Sequence, residues 1–257
     1  MGRENNYEPE TKKIVTVSNY SAVAEIYTHI MRSIDYEKWA DYIYQISKEV
    51  KKKNISVLEL AGGTGRIAAN LSSRIKKIIT SDLSLPMLTH HKNSELLKIC
   101  CDMKFLPFKK KFDFIFSTFD SMNYINKKEN INKLLENVSG CLSDKGLFAF
   151  DVSLEKNSLK YEKYLNRRGK VNGVVFHQRS YFDKRTRIHY NHFELTLANG
   201  KKVEEIHKQK IYLFEDYFNI IEDSDFYVHK CYKAFTFDNA DENTERAQFI
   251  LKKKSYA

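Results

Sequence analysis

The chain has no uninterrupted apolar run near the roughly 18 residues that a membrane-spanning helix needs, so none is expected. Its first residues, Met1-Gly2-Arg3-Glu4-Asn5-Asn6, lack the apolar stretch of a secretory signal, and the expected location is therefore cytoplasmic. Four cysteines (Cys100, Cys101, Cys141, Cys231) form no CxxC pair and no zinc spacing, which predicts reduced thiols rather than bridges. Eight histidines show no spacing such as HExxH, and no metal is expected. Repeats and low-complexity tracts are also missing. The sequence does have 257 residues, 42% of them hydrophobic, enough to bury one core with a modest insertion. The formal charge of +10 raises nucleic acid as a partner. The lysines behind it are dispersed, however, and short clusters such as Lys109-Lys110-Lys111 border predicted strands, so solvated loops are expected and nucleic acid is not.

Two helices precede any strand. Val23, Ile26, Tyr27 and Ile30 recur at helical spacing between Tyr20 and Met31, and Asp35 caps a second helix that buries Trp39, Ile43 and Ile46. Strands at 56–60, 77–82, 97–101, 112–117 and 146–152 then alternate with helices at 65–72, 85–91 and 128–142. This predicts an α/β, Rossmann-like, doubly wound and mostly parallel sheet. Beyond Asp151 the pattern changes to three strand-like runs, 171–182, 187–198 and 202–213. Their turns, Asp183-Lys184-Arg185-Thr186 and Ala198-Asn199-Gly200-Lys201, read as an antiparallel meander. A helix at 215–221 and strands at 226–236 and 246–253 complete a seven-stranded sheet. The expected organisation is a flexible segment at 1–17, a Rossmann-like domain from 18–156 and 214–257, and an inserted β lid at 157–213.

The most informative stretch is Val57-Leu58-Glu59-Leu60-Ala61-Gly62-Gly63-Thr64-Gly65, where glycines permit a sharp turn and close approach of a ligand. Asp82 follows Gly63 by 19 residues at the end of the second strand, where a carboxylate can accept from both ribose hydroxyls. An adenosine-bearing cofactor is implied. Gly63-Thr64-Gly65-Arg66-Ile67-Ala68 also satisfies the dinucleotide fingerprint G-x-G-x-x-A, which keeps a nicotinamide oxidoreductase open. Against it, Glu59 ahead of the turn suits a ligand's ammonium better than a pyrophosphate. Asp102, with Met103 beside it, stands where an adenine amine would be read.

With Asp82-Leu83-Ser84-Leu85-Pro86-Met87-Leu88, Asp102-Met103 before Leu106-Pro107-Phe108, Phe112-Asp113 with Asp120-Ser121-Met122-Asn123-Tyr124, and Leu142–Asp151, five motifs occur in order. Together they resemble the class I S-adenosylmethionine-dependent methyltransferases. Tyr20–Ile43 is similar to the N-terminal helices of a bacterial subgroup, and the meander to the lids of glycine and amino-sugar N-methyltransferases. The resemblance implies that Glu59, Ala61, Gly63 and Gly65 surround the methionyl moiety, with Gly62 where small residues such as Cys are common. Asp82 holds the ribose, Leu83 and Met87 flank the adenine, and Asp102 and Met103 read its edge. Phe119 and Asp120 lie near the sulfur, and Tyr20 and Tyr27 close the methionyl end. Lys208 and Lys210 stand where relatives often carry an arginine on the lid's third strand.

The expected reaction is in-line methyl transfer from S-adenosylmethionine, leaving S-adenosylhomocysteine, to nitrogen or oxygen of a small polar molecule. Tyr124 and His207 are the candidates for handling the acceptor's proton, with Glu205 and Gln209 as substrate contacts on the same strand face. His90, His91, His189 and His192 are expected to be structural, and the lid aromatics to be packing. A tRNA or protein acceptor, or a cofactor-binding protein without catalysis, is the alternative; a homodimer is compatible with the sequence.

Overall fold

The computed structural model describes residues 14–90 and 95–254. In chain order the elements are β1 (Val15–Thr16), a 3-10 turn at Val23–Ile26 running into α1 (Tyr27–Ile30), α2 (Tyr36–Ser47), β2 (Ser56–Leu60), α3 (Arg66–Leu71), β3 (Lys77–Asp82), α4 (Leu85–His90), β4 (Leu97–Cys100) and β5 (Phe112–Ser117). After a second 3-10 turn at Ser121–Tyr124 come α5 (Lys128–Cys141), β6 (Leu142–Ser153), α6 (Glu155–Tyr164), β7 (Arg167–Val171), β8 (Val174–Asp183), β9 (Ile188–Thr196), β10 (Lys202–Lys210), α7 (Phe214–Glu222), β11 (Phe226–Lys233) and β12 (Arg246–Lys253).

Seven strands form one sheet in the order β11-β12-β6-β5-β2-β3-β4. Strands β4, β3, β2, β5 and β6 run parallel, and β12 and β11 are added antiparallel at the β6 edge. The central strands are apolar at successive positions because helices cover both faces. Val57, Phe114, Phe116 and Leu147 pack with α2 and α3 on one side. Leu58, Ile115, Phe148 and Phe150 pack with α5 and α7 on the other. The chain goes from β2 to β3 and β4 on one side, then returns to β5 and β6 on the other. That reversal opens a crevice at the carboxyl ends of β2 and β5, where ligands of open α/β sheets bind.

The other sheet, β1-β10-β9-β8-β7, is antiparallel except for β1, which lies parallel to β10. It has a hydrophobic core of its own, built with the N-terminal turn: Val23, Ile26 and Ile30 pack against Val174, Phe176, Phe193 and Leu195. Phe176 and Phe193 pack in this core, Phe193 also lining a cavity beside it, and Tyr181 stacks on Tyr190 with ring centroids 4.8 Å apart.

Four expectations differ. Val15–Thr16 is not loose but pairs with Val203 and Glu204; residues 1–13 of that segment lie outside the described residues. No continuous helix runs from Tyr20 to Met31, because Tyr20 takes φ 57° and a 3-10 turn precedes the four-residue α1. Both α6 and β7 were unforeseen. The strand expected at 226–236 stops at Lys233, where Lys233 N–H turns to Asp238 O. The Asp35 cap is present, its side chain accepting from Lys38 N–H at 2.9 Å.

Candidate active site

A cavity of about 630 Å³ opens at the carboxyl ends of β2, β3 and β5. Its floor is the turn after β2, held in place by Asp82. One Asp82 oxygen accepts from Gly63 N–H and the other from Ser84 N–H, each at 2.7 Å. Gly63 has φ 58° and Ala61 φ 50°, left-handed conformations that a glycine adopts freely and an alanine only under constraint. Burial raises the Asp82 carboxyl above its ordinary range, with the backbone N–H groups opposing. Each oxygen keeps a further lone pair for a hydroxyl ligand.

Eleven of the expected cofactor residues line this cavity: Tyr20 and Tyr27; Ala61, Gly62 and Gly63; Asp82, Leu83 and Met87; Asp102, Met103 and Phe119. Three do not. Glu59 lies buried beneath the turn, where Thr80 Oγ1 donates to its Oε2 at 2.6 Å while Oε1 has no hydrogen-bond partner. Gly62 leaves it room, since a Cβ there would stand 2.4 Å from Glu59 Oε2. Glu59 therefore shapes the turn from below instead of lining the space. Burial pushes its carboxyl up to about 8. Gly65, at φ 78°, caps α3. Asp120 belongs to a second cavity.

That second cavity, of about 250 Å³, lies between the antiparallel sheet, the N-terminal turn and the end of β6. Tyr20, Tyr27, Phe119 and Tyr124 line both spaces and so form their common wall. A buried hydrogen-bond chain runs along it. Tyr20 and Tyr124 hydroxyls are 2.7 Å apart, Tyr124 Oη is 3.1 Å from His207 Nδ1, and His207 Nε2 is 3.0 Å from Glu205 Oε2. The Glu205 carboxylate also accepts from the backbone N–H groups of Tyr20 (2.7 Å), Val23 (2.8 Å) and Ala22. Since the carboxylate only accepts, Nε2 carries the imidazole proton and Nδ1 accepts from Tyr124, which in turn accepts from Tyr20. Burial keeps both phenols well above their ordinary pKa.

His207 and Gln209 face the second cavity, as their alternation on β10 predicts. Glu205 shares their face but reaches neither cavity, because the N-terminal turn occupies its oxygens. Gln209 Nε2 donates to Asp120 Oδ2. Sequence reasoning missed Arg246, which opens β12. It sits 2.7 Å from Asp120 Oδ1 and donates to Asp151 Oδ2, holding together the loop after β5 and the end of β6. Burial lifts the Asp151 carboxyl to about 6 against the pull of this guanidinium. His189 also lines the second cavity, donating to or accepting from Ser180 Oγ through Nε2 at 2.7 Å. His192 instead contacts Glu204, and His91 lies outside the described residues. Within the described residues there is no cluster able to hold a metal ion and no helix long and apolar enough to cross a membrane.

Residues 57–146, which contain the turn and the first cavity's strands, match the family described as "Methyltransferase domain". The chain is 24% identical over 245 residues to YqeM of Bacillus subtilis (strain 168), a methyltransferase by name, covering 91% of this chain and 97% of that one. The crystal structure of an S-adenosylmethionine-dependent methyltransferase from Clostridium acetobutylicum superposes with a TM-score of 0.74 at 25% identity, over 92% of this chain and 99% of that one. The sugar N-methyltransferase KedS8 from Streptoalloteichus shares the fold at a TM-score of 0.68 and 16% identity, over 99% of this chain and 98% of that one. The crevice has the volume and the acidic strand end that an adenosine cofactor needs, and its floor is the matched segment. The chain is a class I S-adenosylmethionine-dependent methyltransferase.

Proposed function

We propose that the enzyme methylates a nitrogen or oxygen of a small polar molecule, bound in the second cavity. The observation that carries this reading is the shared wall: a cofactor-sized cavity adjoins a separate space of about 250 Å³, in which Asp120, Arg167, Gln178, His207 and Gln209 stand among apolar side chains. The fit to the cofactor rests on Asp82, with a lone pair left on each oxygen for the ribose, and on the glycine turn that lets the backbone approach. Leu83 and Met87 would flank the adenine, with Asp102 and Met103 at its edge. When bound, S-adenosylmethionine supplies an electrophilic methyl group whose departing sulfur takes the bonding electron pair.

The chain's own residues have two tasks. Tyr20, Tyr27 and Phe119 separate the two spaces and exclude water from the line between them. The Tyr20–Tyr124–His207–Glu205 chain takes the proton that an acceptor N–H or O–H must lose. Tyr20 Oη retains acceptor lone pairs; as a proton arrives there, Tyr20's own proton passes to Tyr124 and Tyr124's passes to His207 Nδ1, and Glu205 stabilises the imidazolium. The antiparallel sheet then acts as a lid, with 157–213 as the inserted unit and the N-terminal turn as its underside. The sugar and glycine N-methyltransferase resemblance of this lid favours an amine acceptor.

The test is release of S-adenosylhomocysteine with a panel of small amines and alcohols. With any acceptor that turns over, His207→Ala and Tyr124→Phe should each lower kcat about 10²-fold, the low end of general-base effects, while S-adenosylhomocysteine affinity stays near wild type. Wild-type kinetics in both variants would remove the relay from the reaction.

A further inference from the structure

We infer that the methyl acceptor carries an oxyanion, a carboxylate or a phosphate, and that Arg167 holds it in the part of the second cavity that the cofactor space does not share. This rests on the acceptor reading above and narrows it to a class of substrate.

Arg167 opens β7 and stands directly opposite Gln178 on β8. Its Nε donates to Gln178 Oε1 at 2.7 Å and its Nη1 to Ile30 O, the end of α1, at 3.2 Å. Gln178 is itself oriented, because its amide nitrogen donates to Asn191 Oδ1 at 3.1 Å. Two of the five guanidinium N–H groups are thus spent on fixing the side chain, and three are left. Arg74, Arg179, Arg187 and Arg246 each meet a carboxylate. Among the described residues Arg167 forms no such ion pair. The charge that acts on it is Arg32, and burial together with that second cation disfavours its protonated form. A half-buried cation with no counter-ion, positioned by neutral partners and lining a cavity, is a costly arrangement that an anionic ligand relieves.

Asp120 lines the same cavity, and so does Arg246, whose guanidinium is already paired with Asp120 and Asp151. Asp120 and Arg167 both line the second cavity and not the first, and Asp120 follows Phe119 of the common wall in sequence. An acceptor with an amine at one end and an oxyanion at the other matches this polarity, with the amine towards the reacting end. The lysines of β10 are not competitors for the anion. Lys210 donates to Thr186 O at 2.7 Å and Lys208 lies over the Tyr190 ring, and neither lines the cavity.

The experiment is calorimetry on the full chain, first with S-adenosylhomocysteine alone and then, saturated with it, with matched probes: β-alanine against β-alaninamide, and 2-aminoethyl phosphate against ethanolamine. The expected result is at least tenfold tighter binding of the oxyanion member in one pair. Arg167→Gln should erase that difference and Arg167→Lys should keep part of it, both with unchanged S-adenosylhomocysteine affinity as the sign of an intact fold. No oxyanion preference in either pair, including no binding of any probe, overturns the proposal, as does a preference that survives Arg167→Gln. Failure of S-adenosylhomocysteine to bind wild type would instead overturn the cofactor reading, and it shows in the first titration.

Discussion

Asp82 pins the turn through Gly63 and Ser84 N–H groups, and in the function proposed above its remaining lone pairs accept from the ribose. Asp82→Ala should weaken S-adenosylhomocysteine binding by about 1–3 kcal/mol, read by calorimetry. Normal binding in a folded variant would show that another group holds the ribose. Glu59 has a different signature. Its carboxyl is raised from 4.5 to about 8, first of all by burial. Between those values the native state binds more protons than the unfolded chain, so this group's effect is to lower stability as pH rises through the window, levelling off above about 8. Glu59→Gln should flatten that slope, and thermal melts of both proteins from pH 5 to 9 will check it. The roles of these two acids were unequally legible. A strand-end aspartate 19 residues past a glycine turn is a positional signal in the sequence. Whether Glu59 meets a ligand or lies beneath the turn depends on the depth of Gly62 above it, which only the three-dimensional turn shows.

The parallel core was readable in its elements because a strand covered on both faces is a continuous apolar run, as in Phe112–Ser117. What escaped was polar. Helix α6, Glu155–Tyr164, has only Asn157 and Ser158 as its buried residues, and β7 reads Arg-Arg-Gly-Lys-Val; neither presents an apolar period. The helix expected from Tyr20 fails locally because Tyr20 adopts a left-handed backbone held by Glu205, a contact 185 residues away. Arg246 was hidden for a related reason: a cation opening the last strand looks like an edge residue until β12 is laid against β6. There it joins β12 to Asp151 and to the loop at Asp120. Arg246→Met should cost about 3–5 kcal/mol at pH 8, because two carboxylates lose their shared cation. Since burial already holds Asp151 at about 6, removing Arg246 moves it higher, and the penalty should shrink as pH falls to 5 and the carboxyl takes up a proton. Denaturant melts at the two pH values measure this; an equal penalty at both would mean that the lost packing, not the charge, dominates.

At the scale of the molecule there are two sheets with separate hydrophobic interiors, and the N-terminal turn belongs to the smaller one. Glu205 fastens that turn to β10. Its four partners, the N–H groups of Tyr20, Ala22 and Val23 and His207 Nε2, all donate. An amide can accept on one oxygen only, so Glu205→Gln retains the shape and leaves at least one buried N–H facing another donor, at about 1–3 kcal/mol for each unpaired group. The seven-stranded sheet has no such dependence, because its core is filled by α2, α3, α5 and α7. Glu205→Gln should therefore expose residues 18–31 to protease and raise amide exchange there and along β10, while exchange in β2, β5 and β6 stays slow. Cofactor affinity should fall as well, since Tyr20 and Tyr27 form one wall of its cavity. If exchange instead accelerates evenly through both sheets, the two interiors unfold as one cooperative unit, and the smaller sheet has no independent opening with which to admit an acceptor.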